Sequence, residues 1–305
     1  MANTLSIVIC TLNREEVFCS TLSGLLRFEA VAPLLEVIVV DQTRKHADAT
    51  EKFLSDHASQ IQLHRVEFAS LTRARNYGIR HAKGDVILFL DDDVEPSPTL
   101  IEGHLRCYSD PGIWGVAGGV LLPGRGMLSK KDLSPAEVAK IERRESSRFD
   151  VDWPHETRWA PGCNMSFRRE SLYKVGGFDE AFYGSALGEE AELCHRLTRA
   201  GGRIQYSPDA KLVHLVNPSG GCRDETEQIG RLSQAMDNIW YFSKQTGVFF
   251  LPRIFRLWPV LRPFFANAAR QGVGGWVRGI SVGMKAVLKF ALNPPLRAKP
   301  GLSGI

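Results

Sequence analysis

Three consecutive aspartates, Asp91-Asp92-Asp93, close an apolar run, Val86-Ile87-Leu88-Phe89-Leu90, that reads as a strand buried in a parallel sheet. A sheet interior cannot hold adjacent carboxylates, because each unpaired buried charge costs several kcal/mol. The triplet must therefore emerge at the C-terminal edge of its strand, where open α/β sheets bind ligands. Carboxylates so crowded repel one another unless a cation neutralises them. Hard oxygen ligands suit Mg²⁺ or Mn²⁺, ions that commonly hold a substrate phosphate as well. The expectation is a metal-diphosphate site.

The rest of the chain supplies the sheet this strand needs. Leu5 to Cys10 reads as a first strand, Arg14 to Arg27 as a helix, and Glu36 to Asp41 as a second strand. Ile61 to Val66 reads as a further short strand and Leu71 to Ala82 as a helix, with Gly84-Asp85 as the turn before Val86. This alternation predicts a doubly wound α/β fold. Between Gly124 and Trp159 the pattern gives way to a charged segment, read as a surface helix flanked by loops. Asn164 to Phe167 then reads as a strand, Glu189 to Ala200 as a helix stopped by Gly201-Gly202, and Arg203 to Tyr206 and Lys211 to Leu215 as short strands.

At 305 residues and 44% hydrophobic content, the chain can bury one large core with a smaller appendage. Charge marks the boundary: residues 238–305 hold ten Lys or Arg and no acid, which leaves the first 237 net negative despite an overall charge of +4. A catalytic domain over 1–237 and a basic, aromatic-rich helical tail over 238–305 are expected. In the tail, Arg278, Lys285 and Lys289 share one face of a helical plot, opposite Trp276, Ile280, Met284 and Val287. Such a helix either lies on an anionic membrane surface or packs on the catalytic domain. The stretch from Gly247 to Ala266, broken by prolines and arginines, is a poor transmembrane span, and no RNA-binding motif accompanies its aromatic residues. Six cysteines without CxxC or zinc-like spacing are expected as free thiols, and no signal peptide precedes the first strand.

Around the aspartates, other residues collect at the same edge. The dinucleotide fingerprint GxGxxG is missing after the first strand, which argues against an oxidoreductase. Asp41 ends the second strand and Arg75 opens the third helix, placed to accept from a base and to donate to a base or phosphate.

Seven segments in order then resemble family 2 of the inverting glycosyltransferases: SIVICTLNRE from Ser6, EVIVVDQT from Glu36, LTRARNYGI from Leu71, GDVILFLDDDVEP from Gly84, GCNMSFRRE from Gly162 through VGGFDE from Val175, GEEAELCHRL from Gly188, and SPDAKLVH from Ser207. The resemblance implies a single Rossmann-like GT-A domain with a mostly parallel sheet. It implies Thr11, Asn13 and Arg14 around the nucleoside and Asp41 at the base. Arg75 would help hold the nucleotide, Asp91, paired with Asp93 in a DxD motif, would meet the ribose, and Asp92 would stand beside them. It also implies Asp93 and His214 on the metal, and Asn164 under the donor sugar. Where the family has a Glu-Asp pair this chain has Glu189-Glu190, which makes Glu190 the matching general base with one more methylene of reach. The partners implied are a nucleotide-sugar donor and a glycan or lipid-linked acceptor at the cytoplasmic face of a membrane. The alternatives are a sugar nucleotidyltransferase, whose Gly-rich basic loop is not seen, and a non-catalytic sugar-nucleotide-binding subunit.

Overall fold

A computed structural model describes residues 3–28, 34–217, 220–221, 238 and 241–242. Apart from Asn238, Tyr241 and Phe242, the expected helical tail lies outside the described residues, as does Cys222. The elements are β1 (Leu5–Thr11), α1 (Glu16–Leu26), β2 (Leu34–Asp41), α2 (Asp48–Asp56), β3 (Gln62–Arg65), α3 (Leu71–His81) and β4 (Val86–Leu90). They continue with β5 (Val94–Pro96), α4 (Leu100–Cys107), β6 (Ile113–Leu121), α5 (Pro135–Glu142), β7 (His155–Thr157), β8 (Asn164–Arg168), α6 (Arg169–Val175), α7 (Glu189–Arg199) and β9 (Arg203–His214).

Among the described residues nine strands form one sheet in the order β3-β2-β1-β4-β8-β6-β9-β5, with β7 on β9. The four strands read from the N-terminal third are parallel throughout. Beyond β4 the sheet is mixed, because β8 runs antiparallel to both β4 and β6 while β6 and β9 are parallel. All five residues of β4 are buried, and its side chains alternate between two cores. Ile87 and Phe89 join Ala74, Ile79, Leu193 and Leu197 from α3 and α7. Val86, Leu88 and Leu90 join Phe18, Leu22, Leu100 and Ile101 from α1 and α4. At roughly 1.5–3 kcal/mol for each large side chain buried, this strand is locked in place.

Register delivers the site. Thr11 pairs with Asp41, and Ile9 with Leu90, so β1, β2 and β4 end together. On the other flank Val94 pairs with His214, which brings the end of β9 beside the aspartates.

β6 had no counterpart in the sequence reading, because Ile113–Leu121 holds three glycines where a strand favours branched residues. Those glycines answer to close packing: a Cβ on Gly115 would sit 2.7 Å from the Phe167 ring, and one on Gly118 would run into the Asn164 amide and the Ala210 carbonyl. The two short strands expected at 203–206 and 211–215 are one bent strand, whose register against β6 shifts at Gly118/Gly119. The expected surface helix is α5, started by Ser134 and Glu137 in a reciprocal cap. The five described cysteines, Cys10, Cys19, Cys107, Cys163 and Cys194, are free.

Candidate active site

The aspartate triplet has a division of labour that its sequence does not reveal. Asp93, at 1% exposure, turns Oδ2 toward the Asn217 backbone N–H at 2.9 Å and Arg14 Nη2 at 3.3 Å. Its Oδ1 faces His214 Nε2 at 3.1 Å. Burial alone would raise this carboxyl, but the bonds from His214 and the Asn217 amide outweigh it and hold Asp93 below the ordinary carboxylate range. Asp91 is the open member, with Oδ2 3.9 Å from His214 Nε2 and Oδ1 3.6 Å from Arg75 Nη2. One ligand atom each from Asp91, Asp93 and His214 lie within 4.8 Å of one another. Two carboxylates and an imidazole in that span make a donor set fit for Mg²⁺ or Mn²⁺.

Asp92 points the other way, into the fold. It accepts from Thr11 Oγ1 at 2.7 Å and lies 3.5 Å from Arg14 Nε, and burial pushes it up to about 7 against those two partners. Thr11 and Asp92 thus form the wall behind the metal ligands. Arg14 is buried between Asp92 and Asp93 and also donates to the Asn217 carbonyl at 3.3 Å. Asn13 is exposed in the left-handed region at φ 52°, with its N–H on Thr43 Oγ1 at 2.8 Å. Gly220 closes over it, since a Cβ there would run into the Asn13 carbonyl.

Asp41 is fully buried, with Oδ1 accepting from the Thr43 N–H at 2.9 Å and Oδ2 3.1 Å from His46 Nε2. The second ring nitrogen of His46 lies 3.1 Å from Glu15 Oε1. Sequence reasoning missed His46; its only signal was position, five residues after a strand-end Asp and at the foot of a helix. It also missed Gln42, which donates to the Thr11 carbonyl at 3.4 Å and accepts from the Ser70 N–H at 2.7 Å, tying β1 to the start of α3.

Arg75 connects the candidate metal ligands to Glu189. Its guanidinium is 3% exposed, paired with Glu189 Oε1, donating to the Gly162 carbonyl at 2.8 Å and reaching toward Asp91. Glu189, 2% exposed, has its second oxygen Oε2 buried without a hydrogen-bond partner. Burial pushes Glu189 up to about 8 against the pull of Arg75, and burial likewise raises Glu190. Both stand in the first turn of α7, where the helix dipole favours the anions. Glu190 is half-buried and borders a cavity of about 320 Å³.

Asn164 pairs with Leu90, next to the aspartates, but its side chain turns into the fold. Fully buried at the start of β8, it donates to the Gly119 carbonyl at 2.9 Å and the Ala210 carbonyl at 2.8 Å, and its Oδ1 meets His104 Nε2 at 2.8 Å. With every polar atom committed, it bolts β8 to β6, β9 and α4. Its side-chain amide is thus engaged inside the sheet, while its backbone stands beside the end of β4.

The sequence model of Glycosyl transferase family 2 matches residues 6–176. A pre-mycofactocin glycosyltransferase from Mycobacterium tuberculosis is 30% identical over 195 residues, covering 63% of this chain and 40% of that protein. A glucosyl-dolichyl phosphate glucuronosyltransferase from Haloferax volcanii is 28% identical over 219 residues, covering 69% of each chain. Among solved structures, GalNAc-T7 with UDP, GalNAc and Mn²⁺ superposes with a TM-score of 0.61 at 18% identity, over 80% of this chain and 48% of that one. The chain thus spans well under two thirds of the mycobacterial relative's length.

Proposed function

Because the chain belongs to glycosyl transferase family 2, we propose that it moves a sugar from a UDP- or dTDP-linked donor to a hydroxyl of a glycan or lipid-linked acceptor, with inversion at the anomeric carbon. One observation carries the reading: the Arg75 guanidinium touches both Asp91, in the ligand cluster, and Glu189, beside the half-buried Glu190. The two halves of a glycosyl transfer, departure of a diphosphate and activation of an acceptor, are thereby set on either side of one fixed cation.

Asp91, Asp93 and His214 would hold Mg²⁺ or Mn²⁺, which supplies Lewis-acid stabilisation of the charge gathering on the departing diphosphate. Asp93 is oriented for this by Asn217 and Arg14, and Thr11 and Asp92 back it from inside. Glu190 takes the proton of the acceptor hydroxyl as that oxygen bonds to the anomeric carbon and the bond to the donor's β-phosphate oxygen breaks. A carboxyl whose proton affinity is raised by burial is suited to that exchange. Asp41, fixed by Thr43 and His46, stands at the base end of the nucleotide. The UDP and Mn²⁺ bound by GalNAc-T7 accord with this choice of nucleotide and ion.

The Haloferax relative's name includes a dolichyl phosphate, and the basic residues of 238–305 would suit attachment to the cytoplasmic face of a membrane. Among the described residues no helix is long and apolar enough to cross one. The test is release of nucleoside diphosphate from UDP-, dTDP- and GDP-sugars with Mg²⁺, Mn²⁺ or EDTA, using membrane extract as acceptor source. Metal-dependent release from one donor supports the reading. Release of pyrophosphate when a nucleoside triphosphate and a sugar 1-phosphate are supplied instead would make the protein a nucleotidyltransferase, and donor binding without turnover would make it a binding subunit.

A further inference from the structure

The cavity beside Glu190 is walled by three separate pieces of chain: Glu145, Ser147 and Phe149 from the loop after α5, Trp159 and Pro161 from the loop before β8, and the first turn of α7. We infer that this cavity receives a sugar ring of the acceptor, its apolar face laid on Trp159 and its hydroxyls toward Ser147, Glu145 and Glu190, and that the group presented to Glu190 is not a phosphate. The inference rests on the reading of the protein as a sugar transferase and narrows its acceptor class.

Size, lining and charge carry it. A volume of about 320 Å³ falls at the small end of ligand sites, suited to a ring rather than to an extended lipid chain. Aromatic surface beside a few convergent oxygens matches a pyranose, which has an apolar face of C–H groups and a rim of hydroxyls. Among the described residues the lining holds two carboxylates and neither Lys nor Arg. A phosphate would therefore enter against like charge, with no cation among the described lining residues to receive it. Nearby arginines turn to other partners: Arg143 to Glu145 at 3.3 Å, from outside the lining, Arg148 to Asp150 at 3.3 Å, and Arg144 to Glu156. Arg158 is exposed and does not line the cavity.

The walls are also pre-formed, so a ring would enter without ordering a loop. The Phe149 carbonyl accepts from the Val120 N–H of β6 at 2.6 Å, and the Phe149 ring packs on Tyr206 with centroids 6.2 Å apart. Trp159 is fixed through its backbone by Thr157, whose hydroxyl accepts from the Trp159 N–H and donates to its carbonyl.

The experiment is saturation-transfer NMR on the full chain with a panel of methyl pyranosides, in competition with citronellyl phosphate, alongside calorimetric titration of UDP with Mn²⁺. Expected are transfer to the ring C–H protons of one or more pyranosides, no displacement by citronellyl phosphate, and about tenfold or more weaker binding in Trp159→Ala. Trp159→Phe should keep most of the binding, and UDP affinity should be the same in all three proteins. Pyranoside binding that ignores Trp159→Ala, no pyranoside binding at all, or displacement by citronellyl phosphate would each overturn the inference. Loss of UDP binding in the unaltered protein would instead count against the transferase reading, independently of the cavity.

Discussion

The proposed donor side and the proposed acceptor side of this site are built by different means. On the donor side most groups sit at or just past the end of a paired strand, Thr11 on β1, Asp41 on β2, the aspartates after β4 and His214 on β9, with Arg75 added from α3. Their positions follow from ladder register, and register is hard to disturb because a one-residue slip would carry each side chain from one packed core into the other. On the acceptor side Glu189 and Glu190 open a helix that follows a turn with Gly184 at φ 62°, Ala186 at φ 50° and Gly188 at φ 94°. That turn is held by contacts from distant sequence: Thr72 Oγ1 on the Phe182 carbonyl at 3.3 Å, Asn238 on the Tyr183 backbone, and Tyr241 on Asp179. Donor chemistry is fixed by the sheet, and acceptor chemistry by a braced loop. The contrast says where substitutions should damage binding, where turnover, and where the fold.

The largest effect should come from the acceptor side. Glu190→Gln is expected to lower kcat about 10³-fold, within the usual worth of a general base, with donor affinity unchanged. The proton affinity of Glu190 is raised by burial, and the base works only when deprotonated. Turnover should therefore fall as pH drops through that raised pKa, at a pH above the ordinary glutamate range, and the acid limb should vanish in the Gln variant. An unchanged limb would remove Glu190 from the role. Next in size is Asn164→Ala, expected to cost about 3 kcal/mol of stability, because it leaves His104 Nε2 and two buried carbonyls without a partner. Denaturant unfolding measures this. A loss of donor binding at unchanged stability would assign Asn164 to the donor site.

That contrast also governs what was legible. The donor side could be read because each functional residue follows a run of apolar residues, and a run that ends in a charge announces its own edge. Asp41 after Val37-Ile38-Val39-Val40 and the triplet after Val86–Leu90 are the clearest instances. Asn164 too borders an apolar strand; only the three-dimensional neighbours, Gly119, Ala210 and His104, show how its amide is held inside. β6 was hidden for a related reason, since its glycines make room for the Phe167 ring and the Asn164 amide, and no local pattern records that need. His46 and Arg75 have roles set by partners 31 and 114 residues away, at Glu15 and Glu189, and those separations carry no periodic signal. The cavity beside Glu190 is assembled from loops the sequence marked only as charged and irregular.

Two smaller effects sharpen the comparison. Asp93→Asn keeps the shape of the side chain but removes the charge between His214 and Arg14, and should weaken metal-dependent UDP binding about 100-fold by calorimetry, with little change in binding measured in EDTA. Equal weakening with and without metal would place Asp93 on the nucleotide rather than the ion. The smallest effect should come from Tyr241→Phe. The Tyr241 hydroxyl donates to Asp179 Oδ2 at 2.6 Å, and its ring meets Phe182 edge-on with centroids 5.3 Å apart. Phenylalanine keeps the ring contact and loses the bond, which is worth about 1–2 kcal/mol at a buried carboxylate. If that bond only stabilises the fold, the variant should melt lower while kcat and KM stay as they are. If it sets the turn that aims α7, kcat should fall about three- to fivefold at unchanged donor affinity, because a small displacement of a base costs rate before it costs binding. We expect the second result. The turn ahead of Glu189 holds a non-glycine residue at positive φ, and a conformation of that kind persists only where its surroundings over-determine it.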